Sequence, residues 1–176
     1  MNFSQLVSLF ESLIDAEGEV DNSKLAIWFN EAQLDLALDA GEIRQVSLER
    51  LSPPPADLLS ILELTDEEGN SIDWDTDTAG RLVFDRQKAQ LLYRAMPTVS
   101  FSGTDNTQES LLPAPLHYLM AYYAAWKYWD AESGGDTEES SHASKFMNYY
   151  YQNRSRYLAR LNIAGGYGRV KQWQII

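Results

Sequence analysis

The chain has 176 residues, of which 44% are hydrophobic and 12% aromatic, so it can bury a core and is not expected to be disordered. Its formal net charge of -12 opposes binding to duplex DNA, and its lack of cysteine excludes disulfides and thiolate zinc sites. We expect neither a secretory leader nor a membrane span, because the sequence has no basic leader segment and no apolar run of roughly 18 residues, and we therefore expect a protein made in the cytoplasm.

Two amphipathic helices are predicted in the first 41 residues. In the first helix, apolar residues recur at steps of three and four between Phe3 and Ile14. The second helix is expected from about Ser23 to Ala40, with Asp21 or Asn22 as its N-cap and Gly41 as its stop.

The second helix is apolar on two sides. A second apolar set, formed by Ile27, Leu34 and Leu38, lies roughly opposite the main set. Both apolar sides of such a helix must be covered. The second side can be covered by a neighbouring subunit or by another segment of the same chain. The main set comprises Leu25, Trp28, Phe29, Ala32 and Leu36.

The pattern then changes to period two, which is typical of strands. Three prolines at positions 53–55 interrupt it, because proline cannot donate to a strand ladder. We predict a small antiparallel meander in residues 42–97, with strands at Glu42–Leu51, Ser60–Thr65, Ile72–Trp74, Arg81–Phe84 and Ala89–Ala95.

Two further helices are expected after an exposed loop over Thr98–Gln108. Pro113 and Pro115 are placed to start the third helix, which is apolar almost all round and should be central. The fourth helix has Arg154 within its apolar stripe, so this side chain needs a carboxylate or an aromatic ring as partner. The adjacent tyrosines 149–151 cannot all face the core, since successive helix residues point about 100° apart.

The last fifteen residues differ from the rest of the chain. Gly165, Gly166 and Gly168 disfavour a stable helix, and apolar side chains follow them. Exposure of these side chains would be unfavourable, so we predict a tail that docks onto another chain, with folding back onto its own domain as the alternative.

No pattern of residues indicates catalysis or a resident ion, so we expect no enzyme activity, no cofactor and no metal. The alternating aspartates Asp73, Asp75 and Asp77 resemble the start of a calcium loop, but Thr78 and Phe84 stand where glycine and glutamate are needed. A solvated hairpin is the better interpretation. The two histidines, His117 and His142, lie on separate predicted helices and have no partner at ligand spacing.

The order of these parts resembles the head–tail connector (adaptor) family of tailed bacteriophages. The resemblance covers most of the chain and lies in the order and spacing of Trp28–Ala37, Pro55–Leu62, Arg81–Phe84, Leu91–Pro97 and Leu112–Tyr118. It implies a helical bundle with a β-insertion that assembles as a dodecameric ring in the neck of the virion. Such a ring binds the portal protein, extends the DNA channel without specific DNA binding, and receives a stopper or tail-completion protein. In several members of the family a C-terminal extension packs against the portal.

We therefore predict a mainly helical α+β adaptor domain with a four-helix-bundle-like core over residues 1–161. Its helices lie in 1–41 and 113–161, its β-insertion in 42–97 and its loop in 98–112, and an extended docking tail follows in 162–176. An acidic regulatory protein that mimics DNA and occupies a nuclease or repressor is the alternative. The predicted subunit interface is Ile27, Leu34, Leu38, Tyr149 and Tyr151, and the predicted portal-docking residues are Tyr167, Arg169, Val170, Lys171, Trp173, Ile175 and Ile176.

Overall fold

A computed structural model describes residues 1–15, 20–98, 100–134 and 137–165, with side chains up to Arg160. These residues form α-helices and small antiparallel sheets, which confirms the predicted α+β class. The chain divides into two compact units. The helical unit joins Met1–Ala40 to the described residues from Pro97 onward, and the sheet unit is Gly41–Met96.

The helical unit contains α1 (Phe3–Ile14), α2 (Asn22–Ala40), α3 (His117–Glu132) and α4 (Thr137–Gly165), with a short 3-10 turn at Ala114–Leu116 before α3. The bounds of α1 and α2 agree with the sequence predictions to within a residue or two, and α3 begins just after the two prolines predicted to start it, because these helix ends carry strong local signals.

The caps of α1 and α2 show these signals. The Asn2 side chain accepts a hydrogen bond from the Gln5 backbone N–H at 2.9 Å, and the Gln5 side chain accepts one from the Asn2 N–H at 3.0 Å. The Asp21 carboxylate accepts a hydrogen bond from the Ser23 N–H at 2.7 Å. Each contact satisfies a backbone donor that a helix start leaves without an intrahelical partner.

The third helix packs against the other three, as its nearly uniform apolar surface predicts. Its small residues Ala121, Ala124 and Ala125 are buried, which allows the neighbouring helices to approach closely. Between α1 and α2, the Phe3 and Phe29 rings meet edge to face with centroids 5.9 Å apart.

The prediction of an exposed loop over Thr98–Gln108 is wrong for Phe101, which is buried. Its ring lies 5.6 Å from that of Phe3 and 6.3 Å from that of Phe29. The Asn30 amide also donates to the Phe101 carbonyl at 2.9 Å and accepts from its N–H at 2.8 Å. A polar segment is therefore held in place by one aromatic side chain and by hydrogen bonds from α2.

The sheet unit contains β1 (Ile43–Glu49), β2 (Leu58–Thr65), β3 (Trp74–Thr76), β4 (Leu82–Phe84) and β5 (Lys88–Ala95). The predicted meander is wrong, because the main sheet has the order β1-β5-β2 and β3 pairs only with β4. The last strand takes the centre and buries alternate residues along its length, namely Ala89, Leu91, Tyr93 and Ala95.

Two predicted boundaries also need correction. The short strand expected at Ile72–Trp74 lies at Trp74–Thr76. Ile72 is not part of this strand, because its backbone N–H donates to the Leu64 carbonyl at 2.9 Å, next to the turn at Asp66–Asn70. The fourth helix continues past the predicted end at residue 161 to Gly165. Continuing a helix adds one hydrogen bond for each residue fixed, and glycine is tolerated near its C-terminal end. Within the described ranges, no helix is both long enough and apolar enough to cross a membrane.

Candidate interaction surface on the helical unit

One face of α2 carries exposed apolar side chains. Ile27 is 57% exposed, and Leu34 and Leu38 are each 45% exposed, although the opposite face of the same helix is buried. Glu31 lies between them in sequence, so the four positions follow a spacing of four, three and four residues along one side of the helix. We call Ile27, Glu31, Leu34 and Leu38 the α2 stripe.

The described part of the chain leaves the α2 stripe open to solvent. The sequence required a second cover for this helix and left open whether another segment or another subunit provides it. No segment among the described residues provides it. Single exposed apolar residues are ordinary, but three of them aligned on one helix face are typical of a surface that binds protein.

The carboxylates beside the stripe hold α2 against α4 through Arg154. Its guanidinium donates from Nη1 to Asp35 Oδ2 at 2.7 Å and from Nη2 to Asp39 Oδ2 at 2.6 Å. Nε adds a hydrogen bond to Asp39 at 3.1 Å, and the Tyr150 hydroxyl donates to Asp35. The prediction that Arg154 needs a carboxylate or a ring as partner is confirmed, since its guanidinium carbon also lies 6.0 Å from the centre of the Tyr150 ring.

Burial and charge act together on the ionisable groups of this cluster. Burial alone would lower the pKa of Arg154, but its hydrogen bonds to Asp39 and the charge of Asp35 raise that pKa above its ordinary value. Burial raises the pKa of Tyr150, and the carboxylate of Asp35 raises it further. Burial and the charge of Glu31 likewise raise the pKa of Tyr123, whose hydroxyl donates to Glu31 at 3.2 Å. Both tyrosines are therefore neutral hydrogen-bond donors at physiological pH.

The three adjacent tyrosines of α4 divide between core and surface, as predicted. Tyr150 is fully buried, whereas Tyr149 is 41% exposed and Tyr151 is 50% exposed. The Tyr151 ring lies 6.2 Å from Trp126, and the Tyr149 ring lies 5.8 Å from Tyr122. The two exposed rings therefore lie on opposite flanks of the buried ridge of α4.

Two lysines lie over aromatic rings near these flanks. The Lys127 ammonium is 5.0 Å from the centre of the Trp126 ring, and the Lys145 ammonium is 5.9 Å from that of Tyr149. Such contacts hold a cation beside an apolar surface. Sequence reasoning did not connect Lys145 with Tyr149, although their spacing of four residues was a signal that they share a helix face.

The histidines have structural environments in this fold. His117 is buried, with Nε2 at 2.9 Å from the Leu112 carbonyl and Nδ1 at 2.9 Å from the Met1 nitrogen. Burial first, and the charge of the Met1 amino group second, lower its pKa. The His142 ring stacks on Trp129 with ring centres 4.7 Å apart.

Two of the three alternating aspartates, Asp75 and Asp77, lie in the β3–β4 hairpin. Asp75 lies on β3, and Asp77 accepts hydrogen bonds from the backbone N–H groups of Ala79 and Arg81, each at 2.9 Å. The Arg81 side chain also pairs with Asp77 at 2.7 Å. No group of three or more His, Cys, Asp or Glu residues suited to a metal ion occurs in the described portion of the chain.

The predicted portal-docking residues lie outside the described residues. This applies to all seven, namely Tyr167, Arg169, Val170, Lys171, Trp173, Ile175 and Ile176. Of the predicted subunit interface, Ile27, Leu34 and Leu38 therefore share one exposed face of α2, and Tyr149 and Tyr151 lie at the surface of α4. In comparisons with known proteins, no family model matches this sequence and no curated protein is significantly similar to it.

Proposed function

We propose that this chain is a structural subunit of the head–tail connector of a tailed phage or prophage, with no catalytic role. Copies of it assemble as a ring beneath the portal protein in the neck of the virion. The ring extends the DNA channel and receives a stopper or tail-completion protein. The observation that carries this proposal is the exposed α2 stripe on a helix whose other side is buried.

Burial of the stripe by another chain would be favourable, but it would be too small to hold a free oligomer together. Fully burying a leucine or isoleucine side chain contributes about 1.5 to 3 kcal/mol. Three side chains that are already about half buried should contribute about 2 to 4 kcal/mol in all when a partner covers them. Association costs at least about 4 kcal/mol in lost freedom, so the stripe alone does not sustain a stable free oligomer. We therefore expect ring formation to depend on the additional contacts that a portal provides.

The hydrogen bonds of Arg154 support a preformed interface. Asp35 and Asp39 are neighbours of Leu34 and Leu38 on α2, and both are held by a side chain of α4. A stripe that is fixed before binding loses less conformational freedom when the partner arrives. The same positions on an isolated helix would have to be ordered during assembly.

The charge of the chain suits a channel for DNA. A ring of subunits that each carry a formal charge of -12 repels phosphates and lets packaged DNA pass without specific binding. The same charge also favours the alternative, an acidic DNA mimic that occupies a nuclease or repressor. The two functions differ in the assembly they require, because a mimic binds its target as a monomer or dimer and releases DNA from it.

Electron microscopy of the protein mixed with the portal protein of the same phage or prophage tests the proposal. We expect portal particles with an added ring, and Leu34→Asp should abolish that ring by placing a charge in the subunit contact. Leu111→Asp is the matched control, since Leu111 is 54% exposed but lies outside the stripe. A wild-type protein that leaves every portal particle bare would contradict the proposed function. Release of DNA from a bound nuclease or repressor would instead support the alternative.

A further inference from the structure

We infer that the α2 stripe of one copy packs against a basic face of α4 on the next copy around the ring. This inference rests on the proposed function, and it specifies which two surfaces form the subunit contact. The face of α4 consists of Lys145, Tyr149, Gln152, Arg156 and Arg160, which we call the α4 face.

The α4 face is a continuous surface on one side of the helix. Its members follow one another at spacings of four, three, four and four residues, and all of them are exposed. The tyrosine supplies a large exposed ring, and the three cations supply positive charge. None of the ion pairs among the described residues involves Lys145, Arg156 or Arg160. This local positive charge stands out in a chain whose formal net charge is -12.

The α2 stripe is complementary in both composition and sign. It offers three aliphatic side chains around Glu31, and the adjacent Asp35 and Asp39 share one guanidinium. Two carboxylates paired with one arginine leave an excess of negative charge beside the stripe. An aromatic ring flanked by cations therefore fits an aliphatic row flanked by carboxylates, since Tyr and Arg are favoured at protein interfaces.

The two surfaces can be used at the same time by one copy. Arg154 and Tyr150 point from α4 toward α2 of their own chain, whereas Tyr149 lies about 100° around the helix from Tyr150. Closed rings require two different surfaces on each subunit, one for each neighbour. A two-fold contact of the stripe with itself would instead bring the α2 carboxylates of both copies together, which charge repulsion disfavours.

Cross-linking tests this pairing directly, because the chain has no cysteine and engineered cysteines are its only thiols. A Leu34→Cys copy and a Tyr149→Cys copy with tags of different mass are mixed, assembled on the portal protein and treated with a short bismaleimide. We expect mixed dimers that contain both tags and few dimers of either variant alone. A single chain carrying both substitutions should give a ladder of cross-linked oligomers. Dimers formed by Leu34→Cys alone, in rings that are visible by electron microscopy, would overturn the inference.

Charge exchange provides a second test that does not depend on cross-linker geometry. Glu31→Lys and Arg156→Glu should each raise by about five- to tenfold the protein concentration at which half of the portal particles carry a ring. The chain with both substitutions should return to within about twofold of wild type, because each contact again joins opposite charges. Glu132→Lys, on the exposed end of α3, is the control for a change of charge alone.

The two tests separate the inference from the function it rests on. Rings that form on the portal without rescue by charge exchange contradict the proposed pairing and leave the connector function supported. Portal particles that stay bare with wild-type protein contradict the connector function itself, and the pairing with it.

Discussion

Replacement of Arg154 by methionine should destabilise the helical unit by about 2 kcal/mol. The substitution keeps most of the aliphatic length but removes every donor to Asp35 and Asp39. The arginine side chain is 19% exposed and its two partners are 37% and 26% exposed. This places the cluster between a surface ion pair, which contributes at most about 1 kcal/mol, and a buried one, whose disruption costs about 3 to 5 kcal/mol. The loss of stability arises because the substitution leaves the neighbouring carboxylates of Asp35 and Asp39 without a cation.

Urea unfolding followed by tryptophan fluorescence measures this change in the free energy of unfolding. Arg156→Met is the matched control on the same helix, because Arg156 is exposed and should change stability by less than about 0.5 kcal/mol. A double-mutant cycle with Asp39→Asn should give a coupling energy of about 1 kcal/mol between the two side chains. If Arg154→Met were no more destabilising than the control, the cluster would not hold α2 against α4, and the case for a preformed stripe would be wrong.

Three further predictions follow from individual residues. The pKa of His117 is lowered in the folded protein, so the unfolded chain binds more protons at this residue. The free energy of unfolding should therefore fall as the pH drops below 6.5, the ordinary pKa of histidine. His117→Gln should remove this part of the pH dependence in urea titrations. Gly103→Ala should lower the free energy of unfolding, measured by thermal unfolding, by about 3 kcal/mol, because the backbone has φ +77° and the added Cβ would lie 2.7 Å from the Asn22 carbonyl oxygen. Gly80→Ala is the control: its φ is +73° but its Cβ would meet no other atom, so it should cost only about 1 kcal/mol. Truncation after Gly165 should change the free energy of unfolding by less than about 0.5 kcal/mol but abolish binding to the portal in a pull-down assay, and full retention of binding would contradict the predicted tail.

Local sequence signals were sufficient for most helix bounds, with the C-terminal end of α4 as the exception. The caps at Asn2 and Asp21, the prolines before α3 and the three-to-four spacing of apolar residues all act within a few positions, so they can be read directly from the chain. The second apolar set on α2 could also be recognised from its spacing, but the sequence left open whether the same chain covers it.

Strand pairing and the partners of Arg154 could not be predicted in the same way. The strands are short and similar in pattern, so nothing local reveals that β5 inserts between β1 and β2. The need for a partner at Arg154 was evident from its position in an apolar stripe. The identity of Asp35 and Asp39 was not, because these carboxylates lie 119 and 115 residues away in the chain. The burial of Phe101 was missed for the same reason, since its neighbours belong to α1 and α2.

The division of the chain between the two units has a consequence for its synthesis. Among the described residues, the sheet unit is one continuous segment, Gly41–Met96, so the contacts within that segment are available once it has left the ribosome. The helical unit begins with Met1–Ala40 but needs α3 and α4, which are translated last. The first two helices therefore cannot complete their packing until more than half of the polypeptide has been synthesised after them. During that time their apolar sides are accessible to chaperones. Because Arg154 of α4 pairs with Asp35 and Asp39 of α2, these contacts form only near the end of translation. Until then the apolar sides of α2 are open to other nascent chains as well as to chaperones.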